Sequence, residues 1–418
     1  MFSMKYQSIK EIFFANATGY TFIRVLDVLM LVVTARLIGV NSFAVLSLAM
    51  AIVAAVDTLL MVDVDSACIQ GKKDLSCYLG TAWSIKIIRS IVVACLLVLL
   101  APVFAGFFNA AMLNRVLPLL AIYILVQGFR NSGIIVFYRE MDILKKFEYL
   151  GISKLFDVFF KIIFCLWFRS YWGLVYGIMA GGVADVIVSY RVSRFRPIFK
   201  IDGAIALEMI RFTKWITLSG IVGYFIYNTD SFYVAKVLGL SALGLYRAAS
   251  RIRLFFSDVG YFVLYEIFFP FFSHKGRTDN AYTLAVYKKS VKVIFVASIL
   301  LSALFFLMMG KIVYYLMGPE WMGAVIIARV FMVSVPALFF ANISYGALRA
   351  VGFPGTVVFF QFICLAIIAI LLYPMGSLFG GVGVACAVVI ATTVLSPFIY
   401  ATTLAKIVAE DPRVLHGS

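Results

Sequence analysis

The chain has few charged residues for its length. Charged side chains make up 13% of its 418 residues and hydrophobic ones 64%, whereas soluble domains average about 25% and about 45–50%. A soluble protein of this size has too little interior to hide so much apolar surface. The composition therefore excludes a soluble globular protein and predicts an all-α polytopic membrane protein.

The sequence also lacks the motifs of common catalytic, metal and nucleotide sites. Its six cysteines show no Cys-x-x-Cys or Cys/His spacing, so neither a disulfide framework nor a zinc site is predicted. Both histidines, His274 and His416, lie in polar segments, which leaves no Ser/His/Asp set. Gly71-Lys72 and Gly310-Lys311 lack the rest of a phosphate-binding loop. We predict no enzyme, no cofactor and no ATP hydrolysis by such a loop.

The formal net charge of +16 would suggest nucleic acid binding in a soluble protein. In a membrane protein, the same excess of Lys and Arg is typical of cytoplasmic loops, which are attracted to an anionic leaflet. We therefore predict membrane lipids as partners and no nucleic acid.

Runs of about 20 mostly apolar residues mark candidate membrane spans. The sequence contains twelve of them, at residues 12–35, 43–62, 82–104, 116–138, 148–168, 172–191, 212–235, 243–269, 289–309, 325–348, 355–374 and 380–405. The fifth and eighth carry the most charge.

The Lys and Arg residues of the connections fix a predicted orientation. Sixteen fall on one side and five on the other, and the bias alternates through the whole chain. The positive-inside rule then places both termini in the cytoplasm. The cytoplasmic segment 191–211 lies near the middle of the chain, and we interpret it as a linker between two six-helix lobes, residues 1–196 and 197–418. The outer loops are short, so no outer domain is predicted.

An internal repeat supports the two lobes. "ARLIGVNSFAVLSLA", from Ala35, aligns at an offset of 200 with the segment from Ala235, which brings Gly39 and Gly239 together. Two further echoes pair Arg139 with Arg349 and Ser170 with Ser377. Halves in the same orientation form a parallel repeat, and such repeats usually place the cargo site at their interface.

Several predicted spans carry ionisable residues, each costing about 2.5 kcal/mol or more in mid-membrane. Arg24 and Asp27 lie three apart on the first span. Lys154, Asp157 and Lys161 fall within about 60° of one another on the fifth span. We therefore expect these side chains to face the bundle interior or a wet cavity.

The eighth span carries a second stripe, Arg247, Arg251 and Asp258, which is about 40° wide. Arg130 is a single charge in the fourth span. Lys86 and Arg89 lie near a cytoplasmic end, where we expect them to snorkel, and we expect Arg253 to make packing contacts.

Together these residues predict a cavity with a net positive lining. Six cations face three anions: Arg24, Arg130, Lys154, Lys161, Arg247 and Arg251 against Asp27, Asp157 and Asp258. Such a cavity should attract an anionic cargo, and phosphate is the best match because arginine offers several fixed donors. The alternative is that pairs such as Arg24–Asp27 and Lys154–Asp157 only lock helices together.

Asp230, with Asn228 and Thr229, is a candidate cation or proton site. A helix-end carboxylate satisfied by local hydrogen bonds is an equally good interpretation. In the absence of a phosphate-binding loop, an ion gradient or consumption of the cargo on the far side would drive transport.

Three stretches identify a family that the chain resembles. "GFRNSGIIVFYREMDILKKFEYLG" (128–151), "YWGLVYGIMAGG" (171–182) and "NTDSFYVAKVLGLSALGLYRAASRI" (228–252) resemble bacterial polysaccharide transporters. These are flippases for lipid-linked oligosaccharides such as O-antigen, within the multidrug/oligosaccharidyl-lipid/polysaccharide exporter superfamily.

The resemblance implies a V-shaped, two-lobed bundle in the bacterial inner membrane, with a central cationic cavity that alternates access. Its cargo would be an oligosaccharide on undecaprenyl diphosphate, and a polysaccharide polymerase and chain-length machinery would be its partners. Arg24 and Arg251 match the family's buried arginines by location. Twelve spans, rather than the fourteen of lipid II flippases, favour the O-antigen or exopolysaccharide branch.

Two alternatives remain. A drug or cation antiporter of the same superfamily would favour a net acidic cavity. A membrane polysaccharide polymerase or ligase usually carries a large outer loop, which this sequence lacks.

Overall fold

The described residues of the chain are mostly helical. The computed structural model describes residues 9–71, 74–140, 142–262, 280–350 and 352–409. Within these ranges it forms α-helices with short 3₁₀ and π segments and contains no strand. The predicted all-α class is confirmed.

Eight helices cover the first part of the chain: α1 Ile9–Leu59, α2 Val64–Gln70, α3 Leu75–Phe107, α4 Leu113–Gly128, α5 Ile135–Arg139, α6 Ile143–Phe168, α7 Tyr171–Val192 and α8 Gly203–Tyr233. Four follow within the remaining described residues: α9 Gly239–Phe262, α10 Asn280–Leu316, α11 Ala324–Ala350 and α12 Pro354–Ala409. A single π-helical stretch, Val234–Leu238, joins α8 to α9.

Six of these helices are long and apolar enough to cross a membrane, or seven if α4 and the bent segment after it form one span. Two of the six, α1 and α12, are double-length, and each covers two of the predicted spans. The charged helices α6 and α9 fall outside this set; they correspond to the fifth and eighth predicted spans. The chain is a multi-pass membrane protein.

Glycine residues with positive φ mark the breaks between two pairs of predicted spans. Gly39 has φ 65° and ψ 171°, and it separates the first two predicted spans. Gly239, its partner in the repeat, has φ 86° and ψ 175° and separates the seventh and eighth. This backbone region is accessible essentially to glycine alone. The sequence echo at an offset of 200 therefore corresponds to the same backbone break in both places.

The structure divides into two compact units, Met1–Ile221 and Val222–Ser418. The first unit extends past the predicted linker, and residues 193–202, which form neither helix nor strand, are hydrogen-bonded to α3. Ser84 Oγ accepts from the backbone N–H of Lys200 at 3.0 Å, and Tyr78 donates to Glu208 at 2.6 Å. These bonds hold the start of α8 against α3. The assignment of six-helix lobes to residues 1–196 and 197–418 stays a prediction.

Gly239→Ala tests the backbone requirement in isolation. A Cβ added at Gly239 would meet no atom within 4 Å, so any cost comes from the backbone conformation. We expect a loss of about 1–3 kcal/mol in the free energy of unfolding, measured as a lower melting temperature of the purified protein in detergent.

Gly106→Ala is the matched control. Gly106 also has open space around a built Cβ, but it lies within α3 and its φ is not positive. We expect its melting temperature to equal or exceed that of the wild type. Equal melting of the Gly239→Ala variant and the wild type would show that the break needs no glycine.

Candidate functional site

Five of the charged residues singled out in the sequence form one continuous cluster in the first unit. We call it the α1–α6 charge cluster: Arg24, Asp27, Lys154, Asp157 and Lys161. Arg24 Nη1 lies 3.2 Å from Asp27 Oδ2, and Lys154 Nζ lies 2.5 Å from Asp27 Oδ1. Asp157 Oδ2 lies 3.6 Å from Lys154 Nζ, and Asp157 Oδ1 lies 2.6 Å from Lys161 Nζ. Positive and negative charges thus alternate along the cluster, and the pair between Lys154 and Asp27 joins α1 to α6.

The cluster carries more positive than negative charge and is partly accessible. Three cations share two carboxylates, and the side chains are between 20% and 36% exposed. The Lys154–Asp27 pair connects two helices, the other three pairs lie within one helix each, and the cations of the five residues outnumber the carboxylates by one. A solvated surface with such a surplus attracts anions.

Small residues of α7 allow α6 to approach closely behind this cluster. A Cβ built at Gly177 would lie 2.6 Å from the Cα of Lys161, and one at Gly181 would lie 3.0 Å from Asp157 Oδ1. Contacts this short leave no room for a side chain. The glycines of the "YWGLVYGIMAGG" stretch therefore position Asp157 and Lys161.

The first unit also holds a charged pocket of about 270 Å³. Its lining includes three carboxylates and three cations: Asp57, Asp63, Asp65, Lys86, Arg89 and Arg130. Lys86 Nζ lies 2.5 Å from Asp65 Oδ1, and Arg89 Nη2 lies 3.2 Å from Asp57 Oδ1. The expectation that Lys86 and Arg89 merely snorkel is wrong, because both side chains turn inward to carboxylates.

Sequence reasoning missed Asp65 as a pocket residue, although it lies two residues beyond Asp63 in a polar break between apolar runs. Burial works to raise the pKa of the Asp65 carboxyl. The Lys86 ammonium and the guanidiniums of Arg130 and Arg89 outweigh this effect, so the pKa of Asp65 lies below its ordinary value. Asp65 is therefore an anion at neutral pH.

Arg130 enters this pocket at the bend between α4 and the following 3₁₀ turn, Ser132–Ile134. Buried Asn131 holds the bend, because its Oδ1 accepts from the Gly133 N–H at 2.8 Å and its Nδ2 donates to the Phe195 carbonyl at 2.8 Å. Arg130 lies beside Tyr149, whose hydroxyl donates to Asp185 at 2.7 Å. Arg130 therefore belongs to the pocket, whose lining includes none of the α1–α6 charge cluster.

In the second unit, Asp230 is 1% exposed and fully engaged by local hydrogen bonds. Its Oδ1 accepts from the Ser231 N–H at 2.6 Å, and its Oδ2 accepts from the Tyr246 hydroxyl at 2.7 Å. Arg247 donates to Asn228 Oδ1 and Ser231 Oγ, both at 3.2 Å. Neighbouring donors thus satisfy the Asp230 carboxylate, and its role as an ion site stays a prediction.

The eighth-span stripe is described only in part. Arg247 is half-buried and Arg251, one turn later on α9, is exposed. The side chain of Asp258 lies outside the described residues. The described residues contain no group of three or more His, Cys, Asp or Glu side chains that could hold a metal ion.

Tyr246→Phe tests whether the bond to Asp230 stabilises the second unit. The ring is buried and packs edge-on against Phe331, and phenylalanine preserves that contact. Losing a hydrogen bond to a buried carboxylate should cost about 1.5–3 kcal/mol, seen as a lower melting temperature in detergent.

Tyr373→Phe is the control. Tyr373 is 72% exposed, so this variant should have the melting temperature of the wild type. A Tyr246→Phe variant as stable as Tyr373→Phe would contradict a stabilising role for the bond.

Solved structures share this fold across almost the entire chain. The lipid II flippase MurJ in an inward closed conformation superposes with a TM-score of 0.76, at 12% identity, over 94% of this chain and 89% of that chain. An inward-facing multidrug resistance MATE family transporter of the MOP superfamily gives a TM-score of 0.71, at 14% identity, over 93% and 95%.

A further MOP superfamily transporter, from Pyrococcus furiosus, gives a TM-score of 0.63, at 14% identity, over 98% of this chain and 99% of that chain. Its binding pocket is described as having reverse polarity, which suggests a different function for that protein. Identities this low establish a common fold and no more.

Sequence comparison supplies the family. No curated protein matches the chain. Residues 33–326, however, match the family described as "Polysaccharide biosynthesis protein", and this range covers well over half of the 418 residues. The chain therefore belongs to the polysaccharide biosynthesis protein family and is built on the fold of the MOP-superfamily transporters.

Proposed function

We propose that the protein is a flippase for undecaprenyl-diphosphate-linked oligosaccharide, an O-antigen or exopolysaccharide repeat unit. It moves this lipid from the cytoplasmic to the periplasmic leaflet of the bacterial inner membrane by alternating access. Both termini are cytoplasmic in this proposal. A polysaccharide polymerase and chain-length machinery would act on the product.

The observation that carries the proposal is the sign of the accessible charge. The α1–α6 charge cluster has one more cation than carboxylates, and in the second unit Arg247 and Arg251 lie one turn apart on α9. A diphosphate head group is a strong acceptor for guanidinium and ammonium donors. We propose that both sets contact the diphosphate during the transport cycle.

A flippase must offset the cost of removing water from the head group of its cargo. A sugar diphosphate in hydrocarbon would leave its charges and hydroxyls without partners, which is prohibitively unfavourable. Partly accessible, charged helix faces replace that hydration while the polyprenyl tail stays in the bilayer.

A drug exporter is the competing function, because MATE family transporters share the fold. A cationic drug would be repelled by the surplus positive charge of the α1–α6 charge cluster. Efflux of cationic dyes, with surface polysaccharide unaffected by loss of the protein, would replace the flippase proposal.

Arg24→Ala and Arg251→Ala should each abolish or strongly reduce surface polysaccharide in a host that depends on this protein, while leaving its abundance normal. The reason is loss of a donor to the head group. Arg→Lys at either position should restore part of the activity, because the charge is kept and the two-pronged geometry is lost. The measurement is surface polysaccharide by gel or lectin staining, with immunoblots for abundance.

Arg115→Ala is the matched control, since Arg115 is an exposed arginine in the first turn of α4 and no part of either cation set. It should leave surface polysaccharide at the wild-type level. Unchanged polysaccharide in both alanine variants at positions 24 and 251 would remove these residues from the site.

We also propose that Asp230 takes part in ion coupling. In this proposal, the Asp230 carboxylate releases its hydrogen bonds from Tyr246 and Ser231 when it binds an ion during the transport cycle. Asp230→Asn should impair transport of labelled lipid-linked oligosaccharide in proteoliposomes, whereas Glu320→Gln, at an exposed carboxylate, should not. Wild-type transport at full rate after collapse of the ion gradient would contradict the coupling role.

A further inference from the structure

The second unit contains a small cavity that none of the proposed transport residues lines. Its volume is about 70 Å³. Helices α8, α9, α11 and α12 enclose it. Its polar lining consists of Tyr227, Arg253, Asn342, Tyr345, Gln361 and Thr392.

Arg253 is the charged residue among those lining this cavity. It is 2% exposed, and its guanidinium carbon lies 4.7 Å from the ring centroid of Phe331 and 5.8 Å from that of Tyr227. Aromatic faces attract a cation, which agrees with the packing role expected from the sequence. They do not supply hydrogen-bond acceptors in the guanidinium plane.

One nitrogen of the guanidinium lacks such an acceptor among the described residues. Its Nε is buried with no hydrogen-bond partner, and none of the ion pairs formed within the described ranges includes Arg253. A buried charge without a partner is strongly unfavourable. The site therefore calls for a negative group.

Asp230, a buried carboxylate of the same unit, already accepts hydrogen bonds from other residues. Asp230 accepts from Ser231 and from Tyr246. A second guanidinium, Arg247, also donates to Ser231 beside it. Two guanidiniums and one buried carboxylate leave one positive charge uncompensated among these three described residues.

The other polar lining groups suit an anion. The side-chain amide of Asn342 and the hydroxyl of Tyr345 are donors that line the same space. Thr392, in contrast, turns its hydroxyl to the carbonyls of Val388 and Val389, both at 3.0 Å. The volume has room for a few water-sized groups, which excludes a sugar diphosphate.

We propose that this cavity binds a small inorganic anion of about the size of chloride, held by Arg253 with Asn342 and Tyr345 as further donors. The anion neutralises a guanidinium that has no ion-pair partner among the described residues, and it bridges α9 to α11. Because the anion binds only the folded protein, the free energy of unfolding rises with the logarithm of the anion concentration. This site is independent of the flippase proposal.

The test is the melting temperature of the full-length protein in detergent while sodium gluconate is replaced by sodium chloride at constant ionic strength. We expect the melting temperature to rise by a few degrees, in step with the logarithm of the chloride concentration, and bromide should act in the same way. Melting that is equal in the two salts would overturn the proposal.

Four variants locate the effect. Arg253→Met should lose the chloride dependence and Arg253→Lys should weaken it, whereas Lys289→Met, at an exposed lysine of the same unit, should keep it. Asn342→Asp places a carboxylate in the cavity and keeps Arg253. Its melting temperature in gluconate should therefore exceed that of the wild type, and chloride should change it little. This variant keeps the test decisive if Arg253→Met does not fold.

Chloride dependence that persists in Asn342→Asp or in a folded Arg253→Met variant would assign the effect to surface binding and overturn the site. Crystals grown in bromide provide the direct check. An anomalous peak beside Arg253 supports the proposal, and bromide peaks confined to other places contradict it.

Discussion

The contact on which the first unit's candidate site depends is the ion pair between Asp27 and Lys154. It joins α1 to α6 at 2.5 Å, and Arg24 and Asp157 extend it on either side. Charges on apolar helices are tolerated where they meet opposite charges or water. This cluster does both, because its side chains are paired and partly exposed. Without Asp27, the cations of the two helices would repel one another.

The second unit satisfies the same constraint differently. Asp230 is deeply buried and accepts hydrogen bonds from a hydroxyl and a backbone N–H, while Arg253 lies between aromatic rings. Among the described residues, ion pairs satisfy the charges of the first unit's cluster and hydrogen bonds satisfy Asp230 of the second. An internal repeat need not conserve the chemistry of its charges, even where it conserves a backbone break such as Gly39 and Gly239.

A common fold leaves the cargo undetermined. A lipid II flippase and multidrug transporters both superpose on the chain, so the distinction between anionic and cationic cargo rests on local charge. Here the surplus is positive on the accessible α1–α6 charge cluster. That sign, together with membership of the polysaccharide biosynthesis family, favours a phosphate-bearing lipid over a cationic drug.

The sequence by itself determined the helical class, the membrane setting and the grouping of Lys154, Asp157 and Lys161 on one helix face, because hydropathy and helical period are local properties. It also placed Gly39 and Gly239 in register between predicted spans, where the structure has its backbone breaks. Tertiary structure alone decided which charges meet: Lys154 bonds Asp27 across more than a hundred residues, Lys86 and Arg89 turn inward to Asp65 and Asp57, and Arg253 is left without a counter-charge among the described residues. Partners between helices depend on how the helices pack, and a one-dimensional pattern does not contain that information.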